Sequence, residues 1–492
     1  SQKKMCLILV PEITLATQLI KKINSYFQSE LYIWHSKLTV NQRNWTWHQI
    51  KTIKRGIIVG TRSAVLLPIN NLGIILVDEE QDQSYKQQDT KPYYNARDLS
   101  LIRSKLEKSH VVLASATPSL ESYLNVTKNK LSLLTLKERY GKAVYPTVTT
   151  IDCRKSQFYN NNPNNMITTQ LYNAIEEALK RKEQIILLYN RRGYSMFCIC
   201  GSCGKTSQCN YCDITLTYHK NNNQMICHYC GYKVIKWDYC QYCESENIKF
   251  IGSGIQRVEK FLKKQFNDYI IERLDTDSIT SSKKIIKIFS DFEENKINIL
   301  IGTKMVAKGL DFKNVTLVGI LNADQSLFFP DFRSEEKTVQ LICQTIGRAG
   351  RHEKKGNVFL QTYNPDNQYI NQSQGFLLDA TYQQLLIDRK ELNYPPYSRL
   401  IKMLVSNKEK HEASSFINKL FSFLNNINGF EILGPSRAPI FKLSGKYRYQ
   451  LLIKTNHVGL FQNISRNKTF QKIIQFYKNS KIIFDIDPQN IM

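Results

Sequence analysis

No apolar stretch in this 492-residue chain reaches the roughly 18 residues needed to cross a bilayer as a helix. A helical membrane anchor is therefore excluded from the reading, and no membrane partner is expected. The opening residues, Ser1-Gln2-Lys3-Lys4-Met5, lack the charged, apolar and small-residue zones of a signal peptide. The first residue is not Met, and the chain runs directly into an apolar strand, Met5-Cys6-Leu7-Ile8-Leu9-Val10. That start predicts a polypeptide truncated at its N-terminus. Internal repeats and long low-complexity tracts are missing; residues 159–165 form one short Asn-rich loop. Acidic residues are in short supply, 42 Asp+Glu against 68 Lys+Arg, leaving a net charge of +26. Such an excess points to a polyanionic partner, because each neutralised phosphate releases counterions on binding. A Lys/Asn/Ile-rich composition from an AT-biased genome is the other source of the same charge. Cysteine is scarce outside one block: of twelve, only Cys6, Cys153, Cys198 and Cys343 are scattered. That distribution suits metal binding in a reducing compartment better than a secreted disulfide framework.

The remaining eight cysteines are what the sequence has in concentration. They form four Cys-x-x-Cys pairs, Cys200/Cys203, Cys209/Cys212, Cys227/Cys230 and Cys240/Cys243. Eight thiolates so arranged suffice for two tetrahedral four-cysteine zinc sites. Four pairs can be matched in three ways. Joining Cys200/Cys203 to Cys209/Cys212 leaves only five residues for the return turn, whereas Cys209/Cys212 and Cys227/Cys230 are separated by a hairpin-sized gap. Nested pairing is preferred: the inner pairs share one Zn²⁺, and Cys200/Cys203 share the other with Cys240/Cys243. Both sites are closed, which makes the metal structural. His219 and His228 are spare donors read as surface histidines.

Short apolar strands alternate with amphipathic helices on both sides of this block. In the first segment the strands fall at 6–10, 56–60, 73–77 and 110–114. In the second, from about residue 168 to 363, they fall at 184–189, 269–274, 297–301, 315–320 and 357–361. This alternation predicts two parallel α/β lobes, with the cysteine block inserted in the second and a ligand cleft at strand C-terminal ends. Past Tyr394-Pro395-Pro396-Tyr397 the order becomes strand (400–406), helix (409–425), two strands (430–433 and 449–454), helix (460–477) and strand (481–486). That order reads as a split βαβ unit of ferredoxin type. The expected domains are 1–135, 136–375 with the insertion at 198–248, and an α+β domain at 376–492.

The chemistry-bearing motifs sit at strand ends. Ile74-Ile75-Leu76-Val77 runs into Asp78-Glu79-Glu80-Gln81. A carboxylate at the end of a buried parallel strand is placed to hold Mg²⁺ on ATP, the role assigned to Asp78. A second carboxylate, Glu79, is placed to orient or deprotonate the attacking water. Ala114-Ser115-Ala116-Thr117-Pro118 follows the next strand, where small hydroxyls could relay nucleotide state. In the second lobe Gly302-Thr303-Lys304 and Ala307-Lys308-Gly309-Leu310-Asp311-Phe312 precede Gln344-Thr345-Ile346-Gly347-Arg348-Ala349-Gly350-Arg351. Arg348 and Arg351, three residues apart on a helix, share a face and can point at a phosphate. Tyr85-Lys86-Gln87-Gln88 and Tyr93-Tyr94-Asn95-Ala96-Arg97 interleave aromatics with amides and cations. Aromatic faces stack single-stranded bases while the cations track phosphates. The basic-aromatic run 442–449 has the same texture.

Taken together, these motifs resemble the PriA family, the primosomal, replication-restart DNA helicases of superfamily 2, nearly from end to end. Leu9-Val10-Pro11-Glu12-Ile13, Gly60-Thr61-Arg62-Ser63-Ala64, Asn190-Arg191-Arg192-Gly193-Tyr194, Pro330-Asp331-Phe332-Arg333 and Leu433-Gly434-Pro435 all resemble stretches of that family. The resemblance implies RecA-like helicase lobes, nested zinc pairing, and an ATP-dependent 3′–5′ helicase that recognises stalled forks and starts primosome assembly. It implies nucleotide contacts at Glu80, Gln81, Gly309, Asp311 and Gln344. It implies DNA contacts at Thr61, Arg62, Tyr85, Lys86, Tyr93, Tyr94 and Arg97, through a loop that couples DNA binding to hydrolysis. Forked and single-stranded DNA, helicase-loading primosome proteins and single-stranded DNA-binding protein are the implied partners of a monomer. The Lys/Asn/Ile bias fits an AT-rich bacterium or an algal plastid genome equally well, so the expected setting is the bacterial cytoplasm and nucleoid, or a plastid stroma.

Two departures stand out. The phosphate loop GxxxxGK[ST] does not occur in the sequence; the family places it just upstream of this start, after two N-terminal DNA-binding modules. Its backbone N–H cradle and Lys are the main anchor for ATP phosphates. Gln81 stands where the family usually has His. A chain truly lacking the loop would be a non-enzymatic zinc- and DNA-binding primosome scaffold, which is the alternative expectation.

Overall fold

The computed structural model describes residues 4–489 and 491, apart from 28–29, 89, 137, 140–143, 154, 162–165, 190–196, 201–206, 208–209, 211–215, 220–222, 227–231, 247, 252–253, 276–281, 308–311, 322, 324–326, 328–330 and 352–353. The chain divides into two compact units, Ser1–Thr135 with Ser281–Lys287, and Leu136–Thr280 with Ile288–Met492.

The first unit contains β1 (Met5–Leu9), α1 (Ile13–Tyr26), β2 (Leu31–Trp34), α2 (Val40–Thr52), β3 (Gly56–Gly60), β4 (Leu72–Asp78), α3 (Ala96–Leu106), β5 (His110–Ala114) and α4 (Leu120–Thr127). Its sheet is parallel in the order β2-β3-β1-β4-β5. The central strands are apolar runs because both their faces are covered; Leu7, Leu9, Ile58, Ile75 and Val77 are fully buried. Register brings the strand C-termini level: Trp34 and Leu9 both pair with Gly60, Leu9 with Val77, and Asp78 with Ala114. Thr39 and Gln42 close a capping box at the start of α2, fixing where that helix begins.

The second unit continues with β6 (Thr147–Asp152), α5 (Thr169–Lys180), β7 (Gln184–Leu188), β8 (Phe197–Cys200), β9 (Thr217–His219), β10 (Gln224–Ile226), β11 (Lys233–Ile235), β12 (Ile248–Ile251), α6 (Gly254–Gln265), β13 (Ile271–Leu274), the second half of α7 (Ser282–Glu293), whose first half belongs to the first unit, β14 (Ile299–Gly302), β15 (Val315–Ile320), α8 (Ser334–Ile346), β16 (Asn357–Thr362), α9 (Gln368–Gln374) and α10 (Leu378–Glu391). Six of these strands form a parallel sheet, β13-β14-β7-β15-β16-β6. The insertion between β7 and α6 carries an antiparallel pair, β12-β8, and a three-stranded sheet, β11-β10-β9.

The chain ends in β17 (Arg399–Asn407), α11 (Lys410–Leu424), β18 (Glu431–Leu443), β19 (Lys446–Thr455), α12 (Val458–Ser465), α13 (Lys468–Phe476) and β20 (Lys481–Ile486). The antiparallel order β18-β19-β17-β20 is that of a ferredoxin-type split βαβ unit. A stack ties this domain to the second lobe: Phe332 lies 4.7 Å from Tyr394 with nearly parallel rings, and Lys454 sits over the far ring at 4.1 Å. Beneath it, Arg389 and Glu336 form a buried pair at 3.1 Å.

Two differences from the sequence reading have physical causes. The edge strands β2 and β6 are not signalled by long apolar runs, since an edge is covered on fewer sides; β6 reads TVTTID. The helix expected over 460–477 is two helices, because the Asn467 side chain accepts hydrogen bonds from the N–H groups of Thr469 and Phe470 and starts α13 afresh. Among the described residues, no helix is long and apolar enough to cross a membrane.

Candidate nucleotide and nucleic-acid site

Both lobes use one device to turn the chain back at a strand end. At Gly60 an added Cβ would stand 2.5 Å from Ala64 Cβ and 2.7 Å from the Trp34 carbonyl. At Gly302 it would stand 2.3 Å from Val306 Cγ1 and 2.9 Å from the Leu274 carbonyl. Only glycine lets the following turn fold so tightly against the neighbouring strand. In each case the next residue is a threonine whose N–H donates to that same carbonyl, Thr61 to Trp34 at 3.0 Å and Thr303 to Leu274 at 3.4 Å.

β4 delivers the acids. Asp78 is its last residue and accepts the N–H of Glu79 at 3.0 Å. Glu79 has φ 48°, a left-handed conformation that costs free energy in a non-glycine residue and turns the chain abruptly off the strand. Burial, and then the adjacent Glu79 charge, push the Asp78 carboxyl up to about 6. Gln81 Nε2 donates to Glu79 at 2.6 Å, and Ser115 Oγ donates to Gln81 Oε1 at 2.7 Å. Ser115 Oγ also accepts the Thr117 N–H at 2.9 Å. The structure thus joins the 78–81 acids to the 114–118 turn through a Gln–Ser contact.

Glu80 behaves differently from its neighbours. It is buried, with only 2% of its surface exposed, and its carboxylate accepts the Ser119 N–H at 2.6 Å, Ser122 Oγ at 3.0 Å and Arg97 at 3.2 Å. Its side chain therefore faces the interior of the lobe and is committed to holding α3 and α4.

The loop expected to stack bases is corrected at three positions. Tyr85 is fully buried, its hydroxyl 2.6 Å from the Asp78 carbonyl and 3.0 Å from that of Leu9. Arg97 lies inside the lobe, paired with the buried Glu80 and with the half-exposed Asp98, and Lys86 is buried as well. The lobe's own packing takes all three, because the loop passes back across the ends of β1 and β4. Tyr93 and Tyr94 remain half-exposed. Arg62 donates to the Lys86 carbonyl at 2.8 Å and so holds the loop. A cavity of about 740 Å³, lined among others by Pro11, Trp34, His35, Arg43, Thr61 and Arg62, opens at the ends of β1–β3. Trp34, His35 and Arg43 were not singled out by sequence; an aromatic and a cation beside a strand end were the available signal.

In the second lobe Arg348 is buried, its Nε donating to the Ala307 carbonyl at 2.9 Å, and Arg351 is half-buried, donating to the Gly347 carbonyl at 2.8 Å. Gly350, at φ 61°, leaves no room for a Cβ 2.5 Å from the Gly356 nitrogen. Arg139, also missed in the sequence, donates to the carbonyls of Gly347 at 3.1 Å and Gly350 at 3.3 Å. Burial and the Arg351 charge pull its pKa below the ordinary arginine value. Gln344 is half-buried on α8, while Gly309 and Asp311 lie outside the described residues.

Of the eight cysteines, Cys203, Cys209, Cys212, Cys227 and Cys230 lie outside the described residues, as does His228, and Cys200 and His219 fall in strands β8 and β9. Cys240 is fully buried and Cys243 exposed. The N–H of Tyr242 donates to Cys240 Sγ at 3.4 Å. A backbone donor to the sulfur orients a metal-ligating side chain, so Cys240 fits a metal site.

Comparison with known proteins agrees with this anatomy. Residues 1–126 match a DEAD/DEAH box helicase domain and 236–353 a helicase conserved C-terminal domain. Residues 209–234 match the PriA DNA helicase Cys-rich region, and 390–489 the primosomal protein N C-terminal domain. Replication restart protein PriA of Rickettsia felis is 35% identical, aligned over 99% of this chain and 74% of its own length. The chain belongs to the PriA family. The PriA of Bacillus subtilis is 39% identical over 99% of this chain, and that of Haemophilus influenzae 36%. The chain spans 61% and 66% of the lengths of those two PriA proteins. Its two parallel sheets are thus RecA-like helicase lobes, and its insertion is the PriA zinc-ribbon region.

Proposed function

We propose that the chain is the motor portion of an ATP-dependent 3′–5′ DNA helicase that recognises stalled replication forks and initiates primosome assembly. The observation that carries this reading is the Asp78–Glu79 pair: two adjacent carboxylates at a strand end, one of them held up to about 6 by burial. An ionised carboxylate so placed is relieved by a divalent cation. Asp78 would hold Mg²⁺ on ATP, which would supply the cleavable phosphoanhydride and the charge neutralisation. Glu79 would orient the water, kept in place by the Gln81 amide, and Gln81 would report nucleotide state to Ser115. Arg348 and Arg351 would stabilise charge on the transferring phosphoryl group, supported by the Ala307 and Gly347 carbonyls that fix their orientation. Gln344, Gly309 and Asp311 would complete the nucleotide contacts, and Glu80 would act from behind by holding α3 and α4.

Single-stranded DNA would pass the ends of β1–β3, with Thr61, Arg62, Tyr93 and Tyr94 in contact. The cysteine block would hold two structural Zn²⁺ ions in nested pairing and serve as a wedge or as a docking surface for primosome proteins. Domain limits at 135, 375 and 492 and a bacterial or plastid setting belong to the same reading.

The test is ATP hydrolysis by the 492-residue chain with and without a forked duplex. Fork-stimulated turnover is expected of a chain able to hold the phosphates without GxxxxGK[ST]. No turnover with DNA binding intact would overturn the ATPase assignment for this polypeptide and leave a DNA-binding scaffold.

A further inference from the structure

Leu443 is the last residue of β18 and pairs with Lys446 across a two-residue turn. Ser444 and Gly445 have φ values of 48° and 75°. Two left-handed residues give a turn whose twist matches the flanking strands, so the β18–β19 tip is a short, stiff post. The Leu443 side chain packs against an apolar cluster in the cysteine-rich insertion formed by Leu216, Met225, Trp237 and Cys240. Cys240, a candidate metal ligand, is thus one wall of the same cluster that Leu443 touches. Trp237 and Tyr242, on either side of Cys240, meet edge to face at 5.9 Å.

A module of this size buries too little apolar surface to hold itself together and depends on metal or on neighbours. Here the neighbour is supplied by the C-terminal domain. We propose that the β18–β19 tip is a structural wall of the zinc module, and that Leu443 governs how firmly the metal at Cys240 is retained. The proposal rests on the zinc reading given above. Linkage makes the effect reciprocal: what the tip contributes to metal retention, the metal contributes to order in the tip. The tip carries Lys442 over the Tyr447 ring at 5.3 Å, as well as Lys446 and Arg448. Metal loss therefore loosens a basic-aromatic hairpin in another domain.

The experiment uses the full chain purified with zinc. Metal content is measured first, then the rate of zinc transfer to a chromogenic chelator. Leu443→Ala is expected to release zinc several-fold faster, with the volume-conserving Leu443→Met and the control Leu433→Ala, elsewhere on β18, at the wild-type rate. In the unmodified protein, amide exchange over residues 440–448 is expected to quicken once zinc is stripped. Wild-type release from folded Leu443→Ala, or exchange indifferent to zinc, overturns the proposal. A chain that takes up no zinc overturns the zinc reading as well, an outcome told apart by the initial metal content.

Discussion

The guanidinium of Arg97 lies 3.2 Å from the carboxylate of Glu80, with side-chain exposures of 10% and 1%. Removing the cation leaves a charge in the interior of the first lobe. Arg97→Ala is expected to destabilise that lobe by about 3–5 kcal/mol, toward the lower value because Ser119 and Ser122 still donate to Glu80. Adding Glu80→Gln should restore much of the loss, since a neutral amide costs far less to bury. Denaturant unfolding of both variants checks this. Additive losses in the double variant would show that the pair is not what makes Arg97 necessary.

The Asp78 carboxyl titrates at about 6 in the folded chain, against an ordinary value of 3.8. A raised carboxyl pKa means that the folded state binds the proton more tightly. Its contribution is therefore present at low pH and is lost as pH rises through the window from about 4 to about 6. Asp78→Asn is expected to raise the metal-free Tm above pH 6 and to flatten that fall, while abolishing stabilisation by Mg²⁺ with ATP. Thermal unfolding at pH 4.5 and 7.5 decides it; an equal shift at both values would sink the titration argument.

Much of this anatomy was legible in the sequence because it depends on patterns that are local. Apolar runs of four to six residues gave most strands of both sheets, and the alternation of the last hundred residues gave the ferredoxin-type order. That Asp78, Glu79 and Gln81 lie at a strand end was legible from their place after such a run. Tyr85, Lys86 and Arg97 were misread because composition reports what a loop can bind, not which way it faces. Their burial depends on the loop crossing the ends of β1 and β4, a non-local fact. Arg139 was invisible for a related reason: its carbonyl partners, Gly347 and Gly350, lie over two hundred residues away.

Arg351 has a carbonyl partner at Gly347 and the Arg139 charge beside it. As the phosphate-facing cation of the proposed motor, its loss is expected to reduce ATP hydrolysis by about 10³-fold or more, leaving DNA affinity nearly intact. Steady-state hydrolysis and fluorescence anisotropy on Arg351→Ala provide the comparison. Loss of DNA binding with hydrolysis preserved would remove Arg351 from the nucleotide site.

Tyr93 and Tyr85 belong to the same stretch of sequence but present different faces to the solvent, one half-exposed and the other fully buried. If single-stranded bases stack on this loop, Tyr93→Ala should weaken binding to an oligonucleotide by about 1–3 kcal/mol, the usual worth of one base–aromatic stack. Tyr85→Phe keeps the buried ring and removes only the hydroxyl near the Asp78 and Leu9 carbonyls. It should leave affinity unchanged while lowering Tm, because the Asp78 and Leu9 carbonyls lose the one hydroxyl donor they share in the interior. Anisotropy titrations at a fixed salt concentration separate the two. An affinity loss in Tyr85→Phe matching that of Tyr93→Ala would mean that the Tyr85 hydroxyl, which ties the loop to the ends of β1 and β4, is needed for DNA binding.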